Sequence, residues 1–214
     1  MNNPLIVPFI ESDDLSTIIP VNAARLTLQN CNWENEFPYK PATEVALWHN
    51  GSNLFIHYDV DEKYILASCG CDNDKVSNDS CVEFFISFDN DGYYNLEANC
   101  IGRILLSHRK SRKENVVYAD SSTLENISRV ATLGNDTFEM RNSEGKWGLI
   151  LKIPVSTFFK HSFDSFKGLK GRCNIYKCGD HLPVPHYLSW APIDTPSPDF
   201  HRPEFFGQII FENN

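Results

Sequence analysis

Apolar residues recur at every second position over short runs of this chain, and polar or turn-forming residues separate the runs. In VALWHNGSNLFIHYDV (45–60), Asn50-Gly51 stands between two such runs, the strongest short-range hairpin signal a sequence carries. Past that turn Leu54, Ile56, Tyr58 and Val60 alternate with Phe55, His57 and Asp59, which defines two faces of a strand. YILAS (64–68) reads as a third strand. CVEFFISF (81–88) and YYNLEANCIG (93–102), joined by DNDG, predict a second hairpin. GRILLS, VVYA, ISRVATL, TFEMR, KWGLILKIP, CNIYKCGD, HYLSWA and FGQIIFE continue the series. VSTFFKHSF (155–163), with Ser156 as N-cap, is the one segment that reads as a short helix. About a dozen short strands with at most one or two short helices predict an all-β chain folded as a jelly-roll β-sandwich. With 214 residues and no repeat, linker or low-complexity tract, residues 1–214 are expected to form a single domain.

Two strands carry unusual chemistry. Val82, Phe84, Ile86 and Phe88 share one face, and Glu83, Phe85 and Ser87 the other. In the next strand Leu96, Ala98 and Cys100 alternate with Asn95, Glu97 and Asn99. Hairpin pairing sets Glu83 beside Asn95 and Glu97 on one non-core face. The simplest expectation for such a face is an outer surface meeting water. A second dense segment is HYLSWAPIDTPSPDFHRPEFFG (186–207), too proline-rich for a helix or a regular central strand. It carries the rings of Tyr187, Trp190, Phe200, Phe205 and Phe206 beside His186, His201, Arg202 and Glu204. Its prolines stiffen it, so less entropy is lost when it binds something. Phe206, next to Gly207 at the start of the last strand, is expected in the core.

Charge and cysteine content narrow the partners. The formal net charge is −9, and an acidic surface repels phosphate backbones, so nucleic acid is excluded as the expected partner. The basic run SHRKSRK (107–113) reads as a solvated loop or hairpin. No stretch approaches the roughly 20 apolar residues of a membrane helix, and no membrane partner is expected. The opening MNNPLIVPFIESDD lacks the basic and apolar regions of a signal peptide, which predicts a cytoplasmic location, or a periplasmic or extracellular one if the true N-terminus differs. The seven cysteines are irregularly spaced and are expected as reduced core thiols. Cys173, Cys178, His181 and His186 offer soft-metal ligand types, but not the tight pairs of a zinc knuckle. Oligomeric state is left open.

NDSCVEFFISF, YYNLEANCIG, YKCGD, HYLSWAP and FHRPEFFGQIIF, in this order and spacing, resemble the family 9 carbohydrate-binding modules, and most of all the family 9-like group common in gut Bacteroidetes. The resemblance runs from about Trp33 to Phe211. It implies a β-sandwich that binds a mono- or oligosaccharide and performs no chemistry. The family's sugar slot lies between two Trp rings, flanked by a carboxylate and by amide and guanidinium donors. By position its acidic residue matches Glu83, its next-strand polar residues match Asn95 and Glu97, and one Trp matches Phe200. The other Trp matches the Val76–Ser77 region, where no aromatic stands. On this reading Trp190 or Phe200 is the stacking ring, His201 and Arg202 are donors at the rim, and Tyr176 and Asp180 line the pocket. No cofactor is expected, although family members often hold a structural calcium. Two other classes stay open: a glycan-processing enzyme or accessory subunit using Glu83 and Glu97, and a protein-interaction sandwich whose sugar site has decayed.

Overall fold

The computed structural model describes residues 3–15 and 18–214, without the side chains of residues 143 and 144. Along the described residues the strands are β1 (Leu5–Val7), β2 (Ala24–Thr27), β3 (Ala42–His49), β4 (Asn53–Ala67), β5 (Cys81–Ser87), β6 (Tyr93–Asn99), β7 (Ile104–Arg109), β8 (Val117–Tyr118), β9 (Ser128–Ala131), β10 (Phe138–Pro154), β11 (Lys170–Cys178), β12 (Tyr187–Ser189) and β13 (Gly207–Phe211). One sheet runs β1-β13-β11-β5-β6-β7-β8 with β12 added beside β11, and the other runs β2-β3-β4-β10-β9. β1 lies parallel to β13, and the remaining strand pairs are antiparallel. The two sheets form the expected β-sandwich. Among the described residues no helix is long and apolar enough to cross a membrane.

The alternation in the sequence becomes the sandwich interior. Val45, Leu47, Leu54, Ile56, Tyr58 and Val60 of the smaller sheet meet Val82, Phe84, Ile86, Leu96, Ala98, Leu106 and Ile175 of the larger one. The Asn50-Gly51 turn forms as expected: Gly51 sits at φ +91°, and the Asn50 side-chain oxygen accepts the Asn53 N–H at 2.8 Å.

Three local expectations change. YILAS is the far end of β4 rather than a separate strand, and TFEMR and KWGLILKIP are one strand, β10. These two long strands stay paired through register shifts at Phe138/Arg141 and Asn142/Gly145, the irregularities that let a long ladder bend. The segment 155–163 makes only a single 3₁₀ turn at Val155–Thr157, after which Phe158 drops into the interior. The α-helix is α1, Ser121–Glu125, started by Asp120, whose carboxylate accepts the Thr123 N–H at 2.8 Å.

The largest change concerns the outer face of β5 and β6. Glu83, Phe85, Asn95, Glu97 and Asn99 are buried, where a solvated face was expected. The 190–206 segment and Trp33 lie over them and enclose a second apolar cluster containing Phe85, Tyr93, Tyr176, Phe200 and Phe206. The proline-rich segment cannot pair as a strand, so side chains take over the work of a ladder. Asn174 donates to the Ala191 carbonyl and accepts the Ala191 N–H (3.0 and 2.8 Å), Asn32 accepts the Ile193 N–H (2.8 Å), and the Trp33 indole donates to the Thr195 carbonyl (2.8 Å).

Trp190 turns the other way and packs against the main interior. Its ring lies where a side chain at Gly207 would stand: an added Cβ would come within 2.6 Å of the indole. Gly207→Ala is therefore expected to destabilise the fold by about 1–3 kcal/mol, the usual cost of overpacking, and to shift the Trp emission; unfolding titrations that match those of the native protein would refute it.

Strand parity also sends a charge inward. Cys173, Ile175 and Lys177 face the sandwich interior, while Asn174, Tyr176 and Cys178 face the covered outer side. Lys177 Nζ lies 2.9 Å from Glu62 Oε2 of β4 and 2.9 Å from His186 Nε2, with all three side chains buried. The Trp147 indole donates to the other Glu62 oxygen at 2.7 Å.

Candidate functional site

The covered face is not sealed. A hollow of about 150 Å³ opens over the β5–β6 hairpin, lined by Ser77, Glu83, Glu97, Arg112, Cys178, Asp180, Tyr187, Pro198, Asp199, Phe200 and His201. Glu83 and Glu97 are direct cross-strand partners, so register alone puts both carboxyls on the floor. Ser77 comes from the 3₁₀ turn ahead of β5, Arg112 from the β7–β8 connection, and residues 198–201 from the overlying loop.

Behind the floor a polar chain fixes Glu97. Asn95 Nδ2 donates to Glu97 Oε1 at 2.7 Å, the Ser107 hydroxyl donates to Asn95 Oδ1, and the Arg109 guanidinium donates twice to Ser107 Oγ at 2.9 and 2.6 Å. Glu83 accepts from the Cys178 thiol at 3.1 Å. Burial pushes Glu97 up to about 7, against the pull of Arg109. Burial raises Glu83 well above the usual carboxyl range, and the neighbouring Cys178 and Glu97 add to it. The two titrate as a pair, so the floor holds protons at neutral pH. On the wall, burial lowers His201 to about 3, and its Nδ1 pairs with the Tyr93 hydroxyl at 2.9 Å. This imidazole is neutral at pH 7. Arg112 reaches Asp199 at 3.4 Å, with its side chain 59% exposed, so it stays available to a ligand.

Of the residues singled out in the sequence, Glu83, Glu97, Asp180, Phe200 and His201 line the hollow. Asn95 lies behind the floor as the support of Glu97. Tyr176 stands behind Phe200, their rings stacked at 4.1 Å and 7°, and its hydroxyl donates to the Phe200 carbonyl. Phe200 is thus buried with one face already occupied, not a free ring open to stacking on both sides. Trp190 lies against the other core, and Arg202 pairs with Glu204 at 2.6 Å outside the hollow.

Arg112 was missed because its basic run read as a solvated loop. Tyr187 was noted only as one ring among several, yet it lines the hollow. Cys173, Cys178, His181 and His186 do not converge: Cys173 faces the main interior, Cys178 the hollow, His186 the Glu62–Lys177 pair, and His181 is exposed.

No curated protein matches the chain. A solved protein of Bacteroides uniformis ATCC 8492 proposed to bind carbohydrate is 35% identical, over 98% of this chain and 100% of its own, with a TM-score of 0.88. A carbohydrate-binding module of family 9 from Caldicellulosiruptor kristjanssonii, solved with cellotriose, is 10% identical over 99% of this chain and 95% of its own at a TM-score of 0.64. Another structure from that organism, solved with glucose, is 12% identical over 99% and 97% at 0.57. At those identities the likeness is one of fold. The profile of carbohydrate-binding family 9 matches residues 15–211, nearly the whole sandwich, and this chain belongs to that family.

Proposed function

We propose that the hollow binds a carbohydrate non-covalently and that the protein is a binding module rather than an enzyme. The observation that carries this reading is the pairing of Glu83 with Glu97 on a floor walled by Tyr187 and Phe200 and rimmed by Arg112, Asp180 and Asp199. Sugar hydroxyls donate to carboxyl oxygens and accept from guanidinium and protonated carboxyl groups, while the C–H face of the ring rests on an aromatic wall. Tyr187 takes the stacking part that the sequence assigned to Trp190 or Phe200. The hollow is smaller than the roughly 300–1,000 Å³ of sites that enclose drug-sized ligands, so it suits one sugar residue better than a length of polysaccharide. Support for the ligand class comes from the family and from the relatives solved with cellotriose and glucose.

Calorimetric titration with glucose and a panel of oligosaccharides tests the reading. Saturable binding is expected, weakened at least about tenfold, or ~1.4 kcal/mol, by Glu97→Gln, Arg112→Ala and Tyr187→Ala. It should be unchanged by Arg202→Ala, which lies outside the hollow. Silence across the panel overturns the reading and favours a sandwich whose sugar site has decayed. One observation favours a catalytic alternative: two carboxyls side by side across a strand pair are the kind of arrangement glycoside hydrolases use. Turnover of aryl glycosides, abolished in Glu83→Gln, would establish that instead.

A further inference from the structure

We propose that Cys81, Glu83 and Cys178 form a binding site for a thiophilic divalent cation of the zinc class, set at the bottom of the hollow. The three side chains are buried, and their ligand atoms lie within 4.8 Å of one another. They converge for a simple reason. Cys81 of β5 and Cys178 of β11 are register partners across the ladder, and Glu83 is two residues along β5 on the same face. Both thiols are free. The Cys178 thiol already points at Glu83 Oε1, at 3.1 Å.

A tetrahedral zinc centre with Zn–S bonds near 2.3 Å sets its donors roughly 3.5–3.8 Å apart, a spacing that lies between the 3.1 Å of the Cys178–Glu83 pair and the 4.8 Å within which all three ligand atoms fall. Two sulfurs select for soft or borderline cations over calcium and magnesium, which take oxygen ligands. Cys178 and Glu83 line the hollow, so an ion has an entry path. Three protein ligands with one open position is the pattern of zinc sites that hold a water or a ligand. Asp180 adds negative charge beside Cys178 and Glu83, which favours a cation there. Loading balances as M²⁺ replacing the two thiol protons and the Glu83 proton, all released to solvent. The residues proposed from sequence for a soft metal shared only Cys178 with this set. The site does not depend on sugar binding.

The test is a titration of the reduced, full-length protein with Co²⁺ under anaerobic conditions, followed by Zn²⁺. One equivalent of Co²⁺ is expected to develop a thiolate-to-metal charge-transfer band in the near ultraviolet, and Zn²⁺ should bleach it. Cys81→Ser and Cys178→Ser should each abolish the band, Glu83→Gln should keep it with at least tenfold weaker affinity, and Cys71→Ser should leave it intact. Circular dichroism verifies that each variant is folded, and Glu83→Gln decides the matter if a cysteine variant is not. Absence of the band in the native protein overturns the site. So does a band that survives both cysteine substitutions, or one that follows Cys71.

Discussion

Lys177→Met is expected to lower the unfolding free energy by about 3–5 kcal/mol, because it strands Glu62 in the sandwich interior without its cation. The methionine fills nearly the same space, so the loss reports charge rather than volume. Lys177 gives Nζ–H groups to the Cys178 carbonyl and His186 Nε2 and lies 2.9 Å from Glu62. His186 Nδ1 faces the Val184 carbonyl at 3.1 Å, which assigns the proton to Nδ1 and leaves Nε2 as acceptor. The double variant Lys177→Met/Glu62→Gln should recover most of the loss, since glutamine keeps an acceptor for the Trp147 indole and carries no charge. Urea unfolding of the native protein, both single variants and the double variant closes the cycle. Additivity within about 0.5 kcal/mol would mean the pair is not coupled.

Stability is expected to drop by several kcal/mol between pH 6.5 and pH 4. Burial lowers His49 to about 4, His201 to about 3 and His186 well below its ordinary value. Unfolded histidine takes up its proton near pH 6.5. Below that pH the unfolded chain binds protons the folded chain refuses, so the stability from these residues is complete above 6.5 and is lost as pH falls through their folded values. Glu97 and Glu83 work in the opposite sense. Their folded values are raised, so their contribution is complete below the unfolded value near 4.5 and is lost as pH rises through about 7 for Glu97. From 6.5 to 4.5 the histidines, with burial shifting His57 and His108 in the same direction, oppose the raised carboxyls of Glu83, Glu97 and Asp180; the histidines outnumber them, so stability falls as the pH is lowered. Below 4.5 the carboxyl contribution is flat and the slope steepens. Denaturant unfolding in steps from pH 8 to 4 measures this, and His49→Gln should remove about one proton of slope from the acid limb. A curve without a break near 4.5 would sink the account.

Much of the fold was legible because alternation is a local property. Asn50-Gly51 announces its own turn, and the Glu83, Asn95 and Glu97 row follows from hairpin register without any knowledge of the rest. What covers that row was not legible. The depth of Glu97 depends on Asn174, Asn32 and Trp33, which tie the 190–206 segment down from distant parts of the chain. No pattern in HYLSWAPIDTPSPDF states that Trp190 and Phe200 belong to different cores. Arg112 was hidden for the same reason: a basic run looks alike whether it meets solvent or leans over a hollow. α1 was overlooked because five residues are too few for a helical period to emerge, although Asp120 three positions before Thr123 was a readable cap. Lys177 gave a readable signal that went unused, since its parity with Ile175 places it inward.

The floor and the wall of the hollow answer to different constraints. Glu83 and Glu97 are locked by a sheet register that cannot shift without inverting every neighbouring side chain. Positions 198, 199 and 201 sit on a connection whose backbone is tethered at Ala191, Ile193, Thr195 and Phe200 rather than paired in a ladder. Substitutions confined to that connection can therefore reshape the wall of the hollow while the acidic pair and the sandwich interior keep their places.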